Sequence, residues 1–141
     1  MCLYTDWKAT KEYKKNNKGQ FVVNYKVLHH KYGRLFSEYY EQVEWLPGFK
    51  VSNRIPIFST LFEIFIDWKF TNIHPSIHKG IHVYTSRERA EEECIMSYET
   101  IVPVNCHTND LVAIGESNEA VFKTVYLSDK EYRNIVEKDK V

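Results

Sequence analysis

The chain has 141 residues, enough for one ordinary domain with its own hydrophobic core. Its 19 basic and 19 acidic side chains cancel, which argues against binding of duplex nucleic acid, because proteins that bind phosphate backbones normally carry a basic excess. The odd number of cysteines, the lack of a secretion signal and the lack of an apolar run of about 20 residues predict a cytoplasmic protein without membrane association. Aromatic residues make up 15% of the chain, so we expect rings in the core and on at least one surface.

The first 19 residues are predicted to form a flexible N-terminal arm. Trp7 to Gly19 are polar, rich in Lys and Asn, and show no apolar periodicity, which is typical of an arm or loop. Ordered structure is expected from Gln20 onward. We therefore predict a single domain at residues 20–141.

Strands dominate the predicted domain. Residues 21–28 alternate with the two-residue period of a strand that has one more buried face. A turn at residues 29–33 and a returning strand at residues 34–40 follow. Further strands are predicted at residues 48–51, 81–84, 99–105, 111–114 and 120–127.

Two capping boxes predict helices. Thr85 as N-cap with Glu88 three residues later opens the principal helix, at about residues 86–98. Ser128 and Glu131 repeat this spacing ahead of a short C-terminal helix. Together these patterns predict an α+β fold, a mainly antiparallel and strongly curved sheet with one principal helix.

The start of the principal helix is the predicted ligand site. Backbone amides and hydroxyls there, next to Arg87, suit a phosphate or carboxylate. Alternation of the preceding strand places His82 and Tyr84 on one face, where rings meet charge and a base could stack. The predicted ligand-binding residues are Tyr25, Lys26, His82, Tyr84, Thr85, Ser86 and Arg87, with Tyr39 and Tyr40 as extensions. The alternative is that Thr85 only caps the helix.

Metal and thiol sites are weaker candidates. His74, His78 and His82 have the spacing of helical metal ligands, but Pro75 and Gly80 interrupt a helix, so no metal or other cofactor is predicted. Whether the three rings converge stays open.

A nucleophilic cysteine next to His82 or His107 is also disfavoured. Cys94 falls on the apolar stripe of the predicted helix, where a small buried thiol is the ordinary interpretation. Cys106, at a strand end, is expected to be the more exposed of the two, although nothing in the sequence marks a depressed pKa.

Several segments resemble, in the same order, small uncharacterised proteins of phages and prophages. These segments are Met1-Cys2-Leu3-Tyr4, the strand Tyr25-Lys26-Val27-Leu28, its return through Leu35-Phe36-Ser37, the junction Gly80-Ile81-His82-Val83-Tyr84-Thr85, and residues 110–127. The resemblance implies a small viral accessory protein, acting in the cytoplasm of an infected bacterium. This class is rich in inhibitors and sponges that neutralise bacterial defence.

The leading hypothesis is therefore a non-enzymatic phage-type protein that captures a small nucleotide-like ligand, such as a defence signal. A second hypothesis is a protein-protein inhibitor whose apolar segment at residues 55–70 docks on a host defence protein or on a second copy of the chain. Its predicted partner-binding residues are Phe65, Trp68 and Phe70.

A third hypothesis is an enzyme that resembles ADP-ribosyltransferases. Glu116 or Glu119 would complete the chemistry of a Tyr- and His-lined cleft. It depends on analogy at the level of the fold alone, so the sequence favours a protein that is not an enzyme.

Overall fold

The computed structural model describes residues 3–37, 44–51, 76–77 and 80–137. The strands in these ranges are β1 (Leu3–Tyr4), β2 (Phe21–Lys31), β3 (Arg34–Ser37), β4 (Glu44–Trp45), β5 (Gly48–Val51), β6 (Ser76–Ile77), β7 (Ile81–Tyr84), β8 (Glu99–His107), β9 (Leu111–Ile114), β10 (Glu119–Phe122) and β11 (Thr124–Leu127). The helices are α1 (Trp7–Asn16), α2 (Arg87–Glu93) and α3 (Asp129–Val136), with a 3-10 turn at Thr108–Asp110.

The strands form one large antiparallel sheet and one separate pair. The large sheet has the order β5-β11-β8-β2-β7-β10-β9, while β3 pairs with the second half of β2 and with β4. The separate pair joins β1 to β6. The predicted α+β class with a mainly antiparallel sheet is therefore confirmed.

Strand β2 and strand β8 form the spine of the sheet. Their register runs without interruption from Phe21 opposite His107 to His29 opposite Glu99. Alternating side chains therefore separate into two faces along the whole spine. We call the side with Leu28, Val102 and Val104 the inner face, and the side with Tyr25 and Val27 the outer face.

The inner face carries the main hydrophobic core. It is covered by α1 and α3, which add half-buried apolar side chains to it. The buried residues of this core are Leu28, Leu35, Trp45, Ile81, Val83, Val102, Val104, Cys106, Leu111, Ile114, Ala120, Phe122, Val125, Leu127 and Val136. The predicted cap of α3 is confirmed, because the Ser128 side chain accepts a hydrogen bond from the Glu131 N–H at 3.2 Å.

The predicted strand at residues 120–127 is two strands. β10 and β11 are separated by Lys123 alone, yet β7, β2 and β8 lie between them in the sheet. Four strand spacings would be about 19 Å across a flat sheet. Two residues of chain reach at most about 7 Å, so the sheet must curl to bring β10 and β11 together.

The alternation of side chains is interrupted at this bend. Phe122 and Val125 both lie in the inner core, although strict alternation would put them on opposite faces. The register of β10 against β9 also shifts between Val121 and Phe122. The sequence alternation over residues 120–127 predicts Val121 on the same side as Val125 and Leu127. That prediction is wrong, because Val121 faces outward while Val125 and Leu127 lie in the inner core, on either side of the interruption at Lys123.

The hairpin between β2 and β3 is tighter than predicted. Lys31 lies opposite Arg34, so only Tyr32 and Gly33 form the turn. Both have positive φ angles, 57° and 70°, as a two-residue turn that follows the sheet twist requires. Strand β2 consequently extends through residues 29–31, which were predicted to belong to the turn.

The predicted loop at Trp7 to Gly19 is wrong for Trp7–Asn16, which form α1. Asp6 is its N-cap and accepts a hydrogen bond from the Ala9 N–H at 3.0 Å. Sequence periodicity misses this helix because hydrogen bonds, rather than a continuous apolar stripe, hold much of it against the sheet. The division into an arm and a domain starting at residue 20 stays a prediction.

A closed set of hydrogen bonds joins the start of α1 to β9. The Asp6 N–H donates to the Ile114 carbonyl oxygen at 2.8 Å, and the Ile114 N–H donates to Thr10 Oγ1 at 2.9 Å. The Thr10 hydroxyl in turn donates to the Asp6 carbonyl oxygen at 2.7 Å. The three groups satisfy one another and cover the backbone of an end strand.

We expect Thr10→Val to destabilise the fold by about 1–3 kcal/mol, because it keeps the shape of the buried side chain but leaves the Ile114 N–H without its acceptor. The free energy of unfolding in urea measures this loss. Thr124→Val, at a half-buried position of β11, is the matched control. Equal losses for the two variants would contradict the role given to the Thr10 hydroxyl.

Candidate functional site

The principal helix begins one residue later than predicted. Ser86, not Thr85, is the N-cap, and its hydroxyl accepts a hydrogen bond from the Arg89 N–H at 3.2 Å. Thr85 stays extended because its N–H donates to the Asn118 carbonyl oxygen at 2.8 Å. The β7 end is thereby tied to the turn before β10.

The helix is also shorter than the predicted residues 86–98. It ends at Glu93, and the Cys94 N–H closes it by donating to the carbonyl oxygens of Ala90 and Glu91. Three successive glutamates at residues 91–93 oppose the negative end of the helix dipole, which disfavours continuation. Tyr98, which the predicted bounds put inside the helix, instead packs edge-on against His29 at 4.8 Å between ring centroids.

The two rings predicted to stack a ligand are covered. Tyr84 is 3% exposed and His82 is 8% exposed. Tyr84 packs with Val27 and Ala90 in a small core between α2 and the outer face. The expected open surface of Tyr84 and His82 is therefore corrected. Helix α2 covers Tyr84, and His82 lies opposite Val121, against which Trp7 of α1 packs.

The other predicted ligand residues separate into two groups. Tyr25 lies opposite Tyr84 on the outer face, and the Arg87 guanidinium is 5.9 Å from the centre of its ring. Lys26, the next residue on the strand, belongs to the inner face. The structure thus brings Tyr25, Ser86 and Arg87 to one region and separates Lys26 from them.

The arginines at the start of α2 are paired with carboxylates. Arg87 lies 3.4 Å from Glu91. Arg89 contacts Glu93, lies 3.3 Å from Glu119, and donates to the Ser117 carbonyl oxygen at 3.2 Å. The hydrogen bond to Glu93 is the main cause that raises the pKa of Arg89. The positive charge expected for an anionic ligand is therefore largely neutralised within the protein.

An open cavity of about 490 Å³ lies next to this helix start. Its lining is polar and mixed in charge. The lining residues are Ser86, Glu88, Arg89, Glu92, Ser117 and Asn118. Two carboxylates facing one guanidinium favour a ligand that is neutral or carries both charges over a phosphate.

Glu119, a candidate of the enzyme hypothesis, is buried behind Arg89. Burial is the main cause that raises the pKa of the Glu119 carboxyl, and the Arg89 charge acts in the opposite direction. Glu116, the other candidate, is exposed on the turn before β10. The structure therefore places only one of the two glutamates close to Tyr84, directly opposite it in the strand register.

Glu119→Gln tests the cost of this burial. Because the pKa of Glu119 is higher in the folded chain than in the unfolded chain, the folded chain binds the proton first as pH falls. The cost of the ionised carboxyl is therefore fully present at neutral pH and is lost as pH falls towards the ordinary value of 4.5. We expect the free energy of unfolding of the wild type, relative to Glu119→Gln, to increase over this range.

Urea unfolding of both chains at each pH gives this difference. Glu116→Gln, an exposed glutamate of the same turn, corrects for the loss of one negative charge. A difference that stays constant with pH would contradict a raised Glu119 pKa.

The other end of the outer face is open and aromatic. Four neighbouring strands, β5, β11, β8 and β2, contribute to it, and their registers place the side chains on one side. We call this set the aromatic patch: Phe21, Val23, Phe49, Asn105, His107 and Tyr126. Phe21 is 56% exposed, Val23 50% and Phe49 66%.

Ring contacts organise the aromatic patch. Phe21 and His107 meet edge-on at 4.8 Å between centroids, and Phe49 and Tyr126 meet at 4.9 Å with tilted planes. Asn105 lies between Val23 and Tyr126 in the strand register. The expectation of an aromatic surface is thus confirmed, although at a different place from the one predicted.

The sequence contained a signal for this patch. Phe21, Val23 and Tyr25 alternate as one face of a predicted strand, and the composition predicts rings on a surface. Sequence alone cannot tell which half of that face a helix covers. We therefore predicted the site at the covered half.

The cysteine and histidine candidates do not form a common site within the described residues. Cys106 is fully buried on the inner face, which raises the pKa of its thiol to about 12, so the expectation that it is the more exposed cysteine is wrong. His82 is on the outer face of β7. Among residues 3–37, 44–51, 76–77 and 80–137, no three side chains of the metal-binding types lie close enough together to hold an ion. The predicted residues Tyr39, Tyr40, Phe65, Trp68, Phe70, His74 and His78 lie outside the described residues.

Comparison of the chain with protein-family models, with curated proteins and with solved structures finds no match. Within the described part of the chain, none of the helices has the length and apolar character needed to cross a bilayer. The interpretation of function consequently depends on the geometry of the aromatic patch and of the α2 start.

Proposed function

We propose that the chain is a non-enzymatic binding protein that docks another protein through the aromatic patch. The exposure of Phe21 and Val23 on β2 and of Phe49 on β5, at the two sides of the patch, carries this proposal. Clustered apolar side chains on an open sheet face are typical of interaction surfaces, whereas scattered ones need no explanation. Aromatic side chains next to an amide also match the composition of protein interfaces.

This proposal keeps the protein-binding hypothesis and changes its surface. The predicted docking segment at residues 55–70 lies outside the described residues, so the described part of the chain supports the aromatic patch instead. The resemblance to phage proteins supports inhibition of a bacterial defence protein as the biological effect.

A matched pair of substitutions tests the proposal. Phe49→Glu places a charge in the patch, while Ile95→Glu makes the same kind of change at an exposed apolar residue outside it. We expect the immobilised wild type and Ile95→Glu to retain the same partner from a bacterial lysate that also contains the untagged chain. Phe49→Glu should weaken binding of that partner at least about tenfold in a titration, because it desolvates a carboxylate at the contact.

Retention of the same partner with equal affinity by all three chains would contradict docking through the patch. Circular dichroism of each variant separates loss of binding from loss of fold. Phe21→Ser is a second patch variant that adds no charge, for use if Phe49→Glu does not fold.

Capture of a small nucleotide-like ligand is the second candidate. The size of the open cavity of about 490 Å³ beside Ser86 favours it, while the two carboxylates of the lining oppose a phosphate. A ligand that binds only the folded chain raises the melting temperature. We expect a shift with at least one nucleotide of a panel that includes cyclic and linear forms. Ser86→Gly keeps a permitted cap but removes a hydroxyl of the cavity, so it should reduce the shift.

The same panel of nucleotides can also exclude this candidate. Absence of a shift with every nucleotide would remove it. An equal shift for the wild type and Ser86→Gly would place the ligand elsewhere.

A further inference from the structure

We infer that the protein docked on the aromatic patch is a second copy of the same chain. This inference rests on the proposed function, since it names the partner of the same surface. A symmetric dimer places each patch against its own copy. The patch must therefore be complementary to itself in charge, in hydrogen bonding and in shape.

The charge of the patch fits such a self-contact. None of its six side chains is a carboxylate, an ammonium or a guanidinium. A surface with charges of one sign would repel its own copy, and a surface selected for a different protein commonly uses charge to choose that partner. The whole chain also has a formal net charge of zero, so two copies approach without long-range repulsion.

The hydrogen-bonding group of the patch is also self-complementary. Asn105 lies between Val23 and Tyr126, with Phe49 beyond Tyr126 on the next strand. An amide side chain has both donors and an acceptor, so two copies of Asn105 can pair across a two-fold axis. A carboxylate or an ammonium at this position could not pair with its own copy in this way.

The shape of the patch permits sheet-on-sheet contact of limited extent. Two sheets pack face to face when apolar side chains alternate on their facing sides. The patch spans three strand spacings, or about 14 Å. With six side chains it is smaller than the roughly 20–30 residues per partner of a standard interface, and we expect a weak, concentration-dependent dimer.

Asn105→Asp tests this inference, because it preserves the size of the side chain and makes the patch repel its own copy. Asn134→Asp makes the same chemical change at an exposed residue of α3, which packs on the inner face. We expect sedimentation equilibrium from micromolar to millimolar concentrations to show a wild-type dimer. Asn134→Asp should dimerise equally, and Asn105→Asp at least about tenfold more weakly.

Each other outcome overturns the inference. A wild type that stays monomeric while Phe49→Glu alone loses a captured partner would leave the proposed function intact and assign the patch to a different protein. A dimer insensitive to Asn105→Asp, or equally sensitive to both variants, would place the contact elsewhere. If Asn105→Asp does not fold, Phe49→Ser takes its place, and an unchanged dimer then has the same meaning.

Discussion

The pairing of β2 with β8 is the constraint on which the rest of the fold depends. Nine consecutive residue pairs, from Phe21 and His107 to His29 and Glu99, fix which side chains face inward. A slip of one residue would turn Val102, Val104 and Cys106 outward and put polar residues in the core. The other strands join this spine at its two edges, so the buried core and the open aromatic patch are opposite sides of the same register.

The second determinant of the fold is the set of hydrogen bonds that holds α1 against the sheet. Helix α1 has few strongly apolar residues, yet it covers the inner face and the end strand β9. The ring of hydrogen bonds among Asp6, Thr10 and Ile114 fixes its start, and the Thr108 hydroxyl, which lies near the carbonyl oxygens of Asn17 and Gln20, fixes its end. Packing of Ala9 and Tyr13 adds to these contacts. Hydrophobic periodicity cannot detect a helix held in this way.

The fold class and most strands could be predicted from sequence because their signals are local. Alternation identifies β2, and the Ser128 capping box identifies α3. The structure differs where tertiary contacts decide. The Asn118 carbonyl oxygen holds Thr85 in an extended conformation, so the helix cap is Ser86, and the bend at Lys123 divides one predicted strand into two. The site shows the same limit, since the alternation of Tyr25, His82 and Tyr84 is clear from sequence but their burial is not.

The bend at Lys123 has a consequence for side-chain size. In a curled sheet the side chains on the concave side converge and those on the convex side diverge. Residues of modest volume accordingly point inward from β7 and β8, including Val83, Val104 and Cys106, whereas Tyr84 and His107 point outward from the same strands. In β7 and β8 the smaller side chains thus face the core and the larger ones face outward, while Phe122 and Trp45 fill the core from β10 and β4.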